Sequence, residues 1–168
     1  MKIVLHLFWQ LCLLRQSPEH VPTQGWFIAA VVLGNLICSV LLAIAGNSDQ
    51  PLLGVVTSVV VGQATTAGLV GLALFLREHS DRLLATITAI FGCDLIITAC
   101  FGVLMPLTLS LADTALSITY LVFLVWSITV TGFILHRALS TNLAIGITVA
   151  MGILVLSVAT SQVAIGSV

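Results

Sequence analysis

Residues 83–105 read LLATITAIFGCDLIITACFGVLM, an apolar stretch with the carboxylic acid Asp94 at its middle. A helix needs about 20 mostly apolar residues to cross the hydrocarbon core of a bilayer. The stretch lacks the alternation of polar and apolar residues that is typical of transmembrane barrel strands. It therefore predicts a transmembrane helix that carries an acidic side chain at mid-membrane.

The same apolar pattern recurs along the rest of the chain. Hydrophobic residues make up 60% of the 168 positions and charged residues 7%, and the mean hydropathy is +1.24. Soluble domains carry roughly 25% charged residues, so a soluble or disordered chain is excluded. We predict an all-α fold, a single polytopic membrane domain over 1–168. Its five predicted transmembrane helices are 26–46, 52–76, 83–105, 114–136 and 142–165.

The basic residues predict the orientation of the chain. They lie before the first span, between the second and third, or between the fourth and fifth: Lys2, Arg15, Arg77, Arg82 and Arg137. The opposite connectors contain Asp49 and Asp113 and no basic residue. By the positive-inside rule the N-terminus is cytoplasmic and the C-terminus periplasmic or extracellular. Five basic residues are too few for a nucleic-acid partner, so membrane lipid is the expected surrounding.

The first 16 residues, MKIVLHLFWQLCLLRQ, resemble the start of a signal peptide in their hydrophobic run. No small-residue cleavage site follows, which argues against removal. Lys2, His6 and Gln10 share one helical face and apolar residues cover much of the rest. We therefore predict an N-terminal amphipathic helix over 1–16 that lies in the membrane interface.

Four polar residues define the candidate intramembrane cluster. Asp94 is the only charged side chain inside a predicted span, and a charge at that depth costs roughly 2.5–3.5 kcal/mol on insertion scales. Asn35 and Gln63 lie at the middle of the first and second spans, and Thr98 shares the helical face of Asp94. Three helices therefore bring polar groups to the same depth.

Two interpretations of this cluster are open. In the first, Asp94 is hydrogen-bonded to Asn35 or Gln63 and serves only to hold the helices together. In the second, Asp94 is the titrating group of a proton- or cation-linked site, and a small-ligand or lipid-headgroup site is a variant of it. Many transporters have paired repeats, which this sequence lacks, so transport is the alternative rather than the first hypothesis.

Small residues follow one face of several spans, and such faces let membrane helices approach closely. They are Ala85, Ala89, Gly92 and Ala99 in the third span, Ala64, Gly68 and Gly71 in the second, and Gly146, Ala150, Ser157, Ser161 and Ala164 in the fifth. Packing within the chain is the first explanation. Association with other membrane proteins, or a homo-oligomer, is the second.

The sequence predicts no catalytic site, metal site or cofactor site. The four histidines, His6, His20, His79 and His136, map to the cytoplasmic side rather than to paired positions within spans, which disfavours haem or another metal. The four cysteines form no C-x-x-C pair and are interpreted as small buried residues. No zinc-protease or nucleophile-elbow motif occurs, so we predict a non-enzyme without cofactors.

The arrangement resembles small, uncharacterised bacterial inner-membrane proteins of Yip1-like type. The similar segments are LRQSPEHVP at 14–22, RLLATITAIFG at 82–92, and Trp126 with GFILHRAL at 132–139. The resemblance implies a role in trafficking, scaffolding or assembly. The first functional hypothesis is therefore an accessory, scaffold or lipid-interacting subunit, and the alternative is a small proton- or cation-linked transporter or channel.

Overall fold

The structure is a computed structural model that describes residues 8–12, 14, 24–46, 51–109 and 113–166. Its five long helices are α1 (Gly25–Gly46), α2 (Leu52–Leu76), α3 (Leu83–Leu109), α4 (Asp113–Ala138) and α5 (Leu143–Gly166). A 3-10 turn at Ser80–Arg82 precedes α3. All five helices are long and apolar enough to cross a membrane. The chain is an integral membrane protein, and the predicted all-α polytopic fold is confirmed.

The predicted helix bounds agree with the structure except at the end of α3. The helix continues through Pro106 to Leu109, whereas the sequence predicts a connector from Pro106 onward. Proline lacks an amide proton, so the helix loses one backbone hydrogen bond at this position. Membrane helices tolerate proline because neighbouring groups or small local adjustments satisfy the freed carbonyl.

The five helices close into a ring. Helix α1 packs against α2 and α3, α5 packs against α2 and α4, and α3 packs against α4. The order around the ring is therefore α1, α2, α5, α4, α3, and the last helix returns to the first. Helices α2 and α3 also contact each other near the turn that joins them, where Leu83 lies beside Gly71. All five helices line the interior of the ring.

Small residues bring α5 close to its two neighbours. A side chain at Gly146 would meet the backbone of Gly132 and His136 in α4. A side chain at Gly62 in α2 would meet the hydroxyls of Ser157 and Ser161. The small residues of α5 therefore pack within the chain, as first expected. Part of the α2 face remains outward, since Gly68 is exposed and has no neighbour within 4 Å of a Cβ position.

The hydrophobic core fills the half of the ring nearest Arg77, Arg82 and Arg137, which we call the basic end. Its fully buried side chains come from α2, α3 and α4 and include Val70, Leu74, Ala89, Val130, Ile134 and Leu135. Val31 of α1 is also buried there. Close-packed aliphatic residues leave this half of the interior dry.

Residues 8–12 correct the prediction of an interfacial N-terminal helix. They are helical, and Phe8, Leu11 and Cys12 are at most 5% exposed. The Phe8 ring contacts the Gly92 position of α3, and the Trp126 indole nitrogen donates a hydrogen bond to the Cys12 carbonyl at 3.1 Å. Both partners lie well inside their spans, so this segment packs into the bundle. Phe8 and Leu11, the part of the apolar face within 8–12, are buried against protein. The rest of 1–16 apart from Leu14 lies outside the described residues.

Large apolar side chains cover the outside of the ring. Leu33, Leu41, Val103, Val125 and Val155 are each more than half exposed and lie on different parts of the described surface. A water-soluble protein rarely exposes so much contiguous apolar area. This surface is suited to contact with lipid.

Candidate functional site: a polar cavity at mid-membrane

Asp94 lies 11 residues into α3, which places it roughly 16 Å from the start of the helix at 1.5 Å per residue. Asn35 of α1 donates a hydrogen bond from Nδ2 to Asp94 Oδ2 at 3.2 Å. Ser39, one turn further along α1, donates to Asn35 Oδ1 at 3.3 Å. Asn35 is fully buried, so both side-chain bonds are shielded from solvent. The predicted convergence of Asp94 and Asn35 is therefore a direct contact.

Asp94 also faces a cavity of about 330 Å³ inside the ring, which we call the central cavity. Every helix contributes to its lining: Ser39 from α1, Gln63 from α2, Asp94 from α3, Thr131 from α4 and Ser157 from α5. Asp94 is only partly buried, because its side chain borders this space. If Asp94 served only to join α1 and α3 through a hydrogen bond, its side chain would not need to border a cavity.

Hydroxyl groups dominate the polar part of the lining. The Ser58 and Thr66 hydroxyls donate to carbonyls of their own helix, and the Ser157 hydroxyl donates to the Gly62 carbonyl at 3.0 Å. The Ser161 hydroxyl lies within hydrogen-bond distance of two carbonyls, those of Ser58 and Ser157. Since a hydroxyl has one proton, these groups offer mainly oxygen lone pairs to the cavity. Oxygen acceptors together with one carboxyl group are the ligand type that cations require.

Gln63 supplies a different group. Its Nε2 atom is buried and has no hydrogen-bond partner among the described residues. Gln63 lines the same cavity as Asp94, although no direct bond joins the two side chains in the described structure. Buried polar atoms in proteins are nearly always satisfied, so this unpaired amide donor beside a cavity points to an occupant that accepts a hydrogen bond, such as water.

Thr98 does not share the central cavity. It lies one turn from Asp94 on α3 and lines two neighbouring cavities nearer the end of the bundle that is opposite the basic end. The sequence places it on the correct helical face but cannot assign it to a cavity, because that depends on how α1 and α4 pack on α3.

Several lining residues are not among the predicted site residues. Ser157 and Ser161 are predicted only as small residues of a helix face, and Ser39, Ser58 and Thr66 belong to no predicted cluster. A usable signal was present in α2, where Ser58, Gly62 and Thr66 recur every four residues and so share one face. Small polar residues at this spacing are also common at ordinary helix contacts.

No histidine or cysteine of the described residues lines the central cavity. His79 contacts the Arg77 carbonyl and His136 contacts the Thr141 carbonyl, both at the basic end. Among the described residues no group of three or more His, Cys, Asp or Glu is placed to hold a metal ion. His6 and His20 lie outside the described residues.

Comparisons with family models, curated proteins and solved structures find no match to this chain. Inference about function therefore rests on the chemistry of the cavity and its position in the bundle.

Proposed function

We propose that this protein is a small proton- or cation-linked transporter or channel whose binding site is the central cavity. The observation that carries the proposal is the presence of Asp94 in one cavity to which the other four helices contribute hydroxyl groups. Acidic residues within membrane spans mark ion and proton pathways in many membrane proteins.

The position of the cavity supports binding to a solute over a purely structural bond. Asp94 already has a partner in Asn35, which satisfies one carboxyl oxygen. Asp94 also borders a space lined by hydroxyl groups. A packing bond between α1 and α3 needs neither the cavity nor the hydroxyls of α2, α4 and α5.

The dry core supports a gate on one side of the site. Val70, Leu74, Ile134 and Leu135 separate the central cavity from the basic end, and each is at most 1% exposed. Hydrophobic constrictions of this kind block ions by excluding water. Passage across the membrane then requires these residues to separate, so the described conformation is closed towards the basic end.

Flux in proteoliposomes tests the proposal. Purified protein is reconstituted with K⁺, Na⁺ or a proton gradient, and uptake is measured with an ion-sensitive or pH-sensitive dye. We expect Asp94→Asn to abolish flux and Gln63→Leu to reduce it. Gln162→Leu is the matched control, since Gln162 is exposed on α5 and away from the cavity. Unchanged flux in the Asp94→Asn variant, or no flux in the unaltered protein, would overturn the proposal.

An accessory or scaffold subunit is a second proposal, favoured by the outward face of α2. Ala64 and Gly68 are exposed there, and a side chain at Gly68 would meet no other atom within 4 Å. Another helix, from a second copy or a partner membrane protein, fits such a face closely. Crosslinking in native membranes tests this, with Gly68→Leu expected to abolish any crosslinked product. A product that persists in this variant rules out the α2 face.

A bacterial inner membrane, a cytoplasmic N-terminus and a C-terminus outside the cytoplasm remain part of the proposal. The support is the location of Arg77, Arg82 and Arg137 at one end of the bundle. Reporter fusions after residues 79 and 140, compared with a fusion at the C-terminus, test it. Cytoplasmic reporter activity at the first two points and not at the third is the expected result.

A further inference from the structure

A second cavity lies at the end of the bundle opposite the basic end, and we call it the vestibule. Its volume is about 840 Å³, more than twice that of the central cavity. Residues of α1, α3 and α4 line it, among them Leu42, Thr98, Phe101, Met105, Ser117 and Tyr120.

The vestibule continues the central cavity along the same helix faces. On α3, Asp94 lines the central cavity, and Thr98 and Phe101, four and seven residues further on, line the vestibule. On α4, Ser127 lines the first and Tyr120 the second, which are seven residues apart. Steps of four and seven residues keep to one face of a helix. Ser39 borders both cavities, so the two spaces approach each other at this residue, next to the Asn35 and Asp94 pair.

The walls of the vestibule are unlike those of the central cavity. The Phe101 and Tyr120 rings lie edge to face with centroids 6.2 Å apart, and Met105 and several leucines complete a mainly apolar lining. Its polar groups are hydroxyls, and no charged side chain is among the described residues that line it. A bare metal ion gains little from such walls, whereas an apolar body gains by leaving water. Aromatic rings also attract alkylammonium groups.

We propose that the solute is an organic cation that occupies both cavities at once. Its positively charged nitrogen lies beside Asp94 in the central cavity, and its apolar body lies against Phe101 and Tyr120 in the vestibule. The axial distance from Asp94 to Phe101 is roughly 10 Å, seven residues of helix, which is within reach of a phenylalkyl ammonium ion. This inference rests on the proposed function of the Asp94 site and names the class of its substrate.

Equilibrium binding of two amines to the full-length protein in lipid nanodiscs tests the inference. The probes are 4-phenylbutylammonium, which has both parts, and methylammonium, which has only the charged part. We expect the first to bind at least about tenfold more tightly than the second, since burial of its phenyl ring alone exceeds one factor of ten in affinity. Asp94→Asn is expected to abolish saturable binding of both, and nanodiscs without protein correct for partition into lipid.

Variants of the vestibule test how the charged part and the apolar part of the solute each contribute to binding. Tyr120→Ala and Phe101→Ala are each expected to weaken 4-phenylbutylammonium about fivefold to tenfold and to leave methylammonium unchanged. Phe75→Ala is the matched control, because this phenylalanine is 70% exposed on the outside of α2. Each variant is first shown to keep the helical content and detergent stability of the unaltered protein.

The outcomes distinguish this inference from the proposed function. If amine binding or K⁺ flux depends on Asp94 but the vestibule variants leave the affinity for 4-phenylbutylammonium unchanged, the organic-cation inference is wrong and the cation site stands. If neither amine binds and no cation flux depends on Asp94, both are wrong. If 4-phenylbutylammonium binds independently of Asp94 and varies with lipid composition, the vestibule holds acyl chains and the inference is overturned.

Discussion

Replacement of Gly62 by alanine tests the contact between α2 and α5 that forms one wall of the central cavity. A Cβ atom at this position would lie 2.7 Å from Ser161 Oγ and 3.3 Å from Ser157 Oγ. The first distance is too short for any carbon and oxygen pair in contact, so the hydroxyls or the helices must move. Both hydroxyls make hydrogen bonds between the helices, which links the substitution directly to stability.

The expected loss follows from the bonds that are displaced. Ser157 Oγ donates to the Gly62 carbonyl at 3.0 Å, and Ser161 Oγ lies 3.1 Å from the Ser58 carbonyl. An interhelical hydrogen bond in a membrane protein contributes about 0.6 kcal/mol on average and about 1.7 kcal/mol at most. Loss of both therefore lowers the free energy of unfolding by about 1.2 kcal/mol, with an upper value of about 3.4 kcal/mol.

The matched control is Gly68→Ala in the same helix, where a Cβ would meet nothing within 4 Å. Both substitutions give the same gain in helix propensity, so the difference between them isolates the contact with α5. The measurement is the free energy of unfolding in bicelles, by steric trapping or denaturant titration. We expect Gly62→Ala to be the less stable variant by at least about 1 kcal/mol. Equal stabilities would show that the α2 and α5 contact is not as close as described.

Two further predictions use the same unfolding measurement. Asn35→Leu removes the donor to Asp94 and leaves its acceptor unsatisfied, which is expected to lower the free energy of unfolding by about 1–3 kcal/mol. Asp94→Asn keeps an acceptor in place, so its expected loss is less than about 0.6 kcal/mol. Equal losses in the two variants would argue against the bond. Gly92→Ala places a methyl group where the Phe8 aromatic ring packs. This overpacking is expected to lower the free energy of unfolding by about 1–3 kcal/mol and to speed amide exchange in 8–12. Gly152→Ala, with no neighbour within 4 Å, is expected to change stability by less than about 0.5 kcal/mol. Unaltered exchange after Gly92→Ala would contradict the burial of 8–12.

The side chains along the sequence determine where each transmembrane helix begins and ends. The length of each apolar stretch and the lack of charge within it are local properties, so the five spans could be predicted to within a few residues. Asn35 and Gln63 could also be predicted as the two candidate partners of Asp94, because charge inside a span demands a partner and depth is fixed by position in the helix. The choice of Asn35 comes from the structure. The end of α3 was misplaced because proline stops helices in water more reliably than in membranes.

The segment 8–12 shows where local reasoning fails. An amphipathic helix has an apolar face that must be covered, and the sequence does not say whether lipid or protein covers it. The interface was the simpler expectation. In the structure the Phe8 ring packs against Gly92, and the Trp126 indole donates a hydrogen bond to the Cys12 carbonyl. Both partners lie more than 80 residues away in the chain, so no local pattern could reveal them.

The sequence by itself determined that this protein crosses the membrane, how many times it does so, and which residue carries charge at mid-depth. These properties follow from the free energy of moving each segment into lipid, which depends on composition alone. Only the tertiary structure decided that the helices form a closed ring, that one half of its interior is dry, and that Gln63 and hydroxyls from several helices join Asp94 around a cavity. The physical reason is that lipid tails are as apolar as leucine. Burial from water therefore cannot select which helix faces meet, and close packing between distant small and polar residues makes that choice.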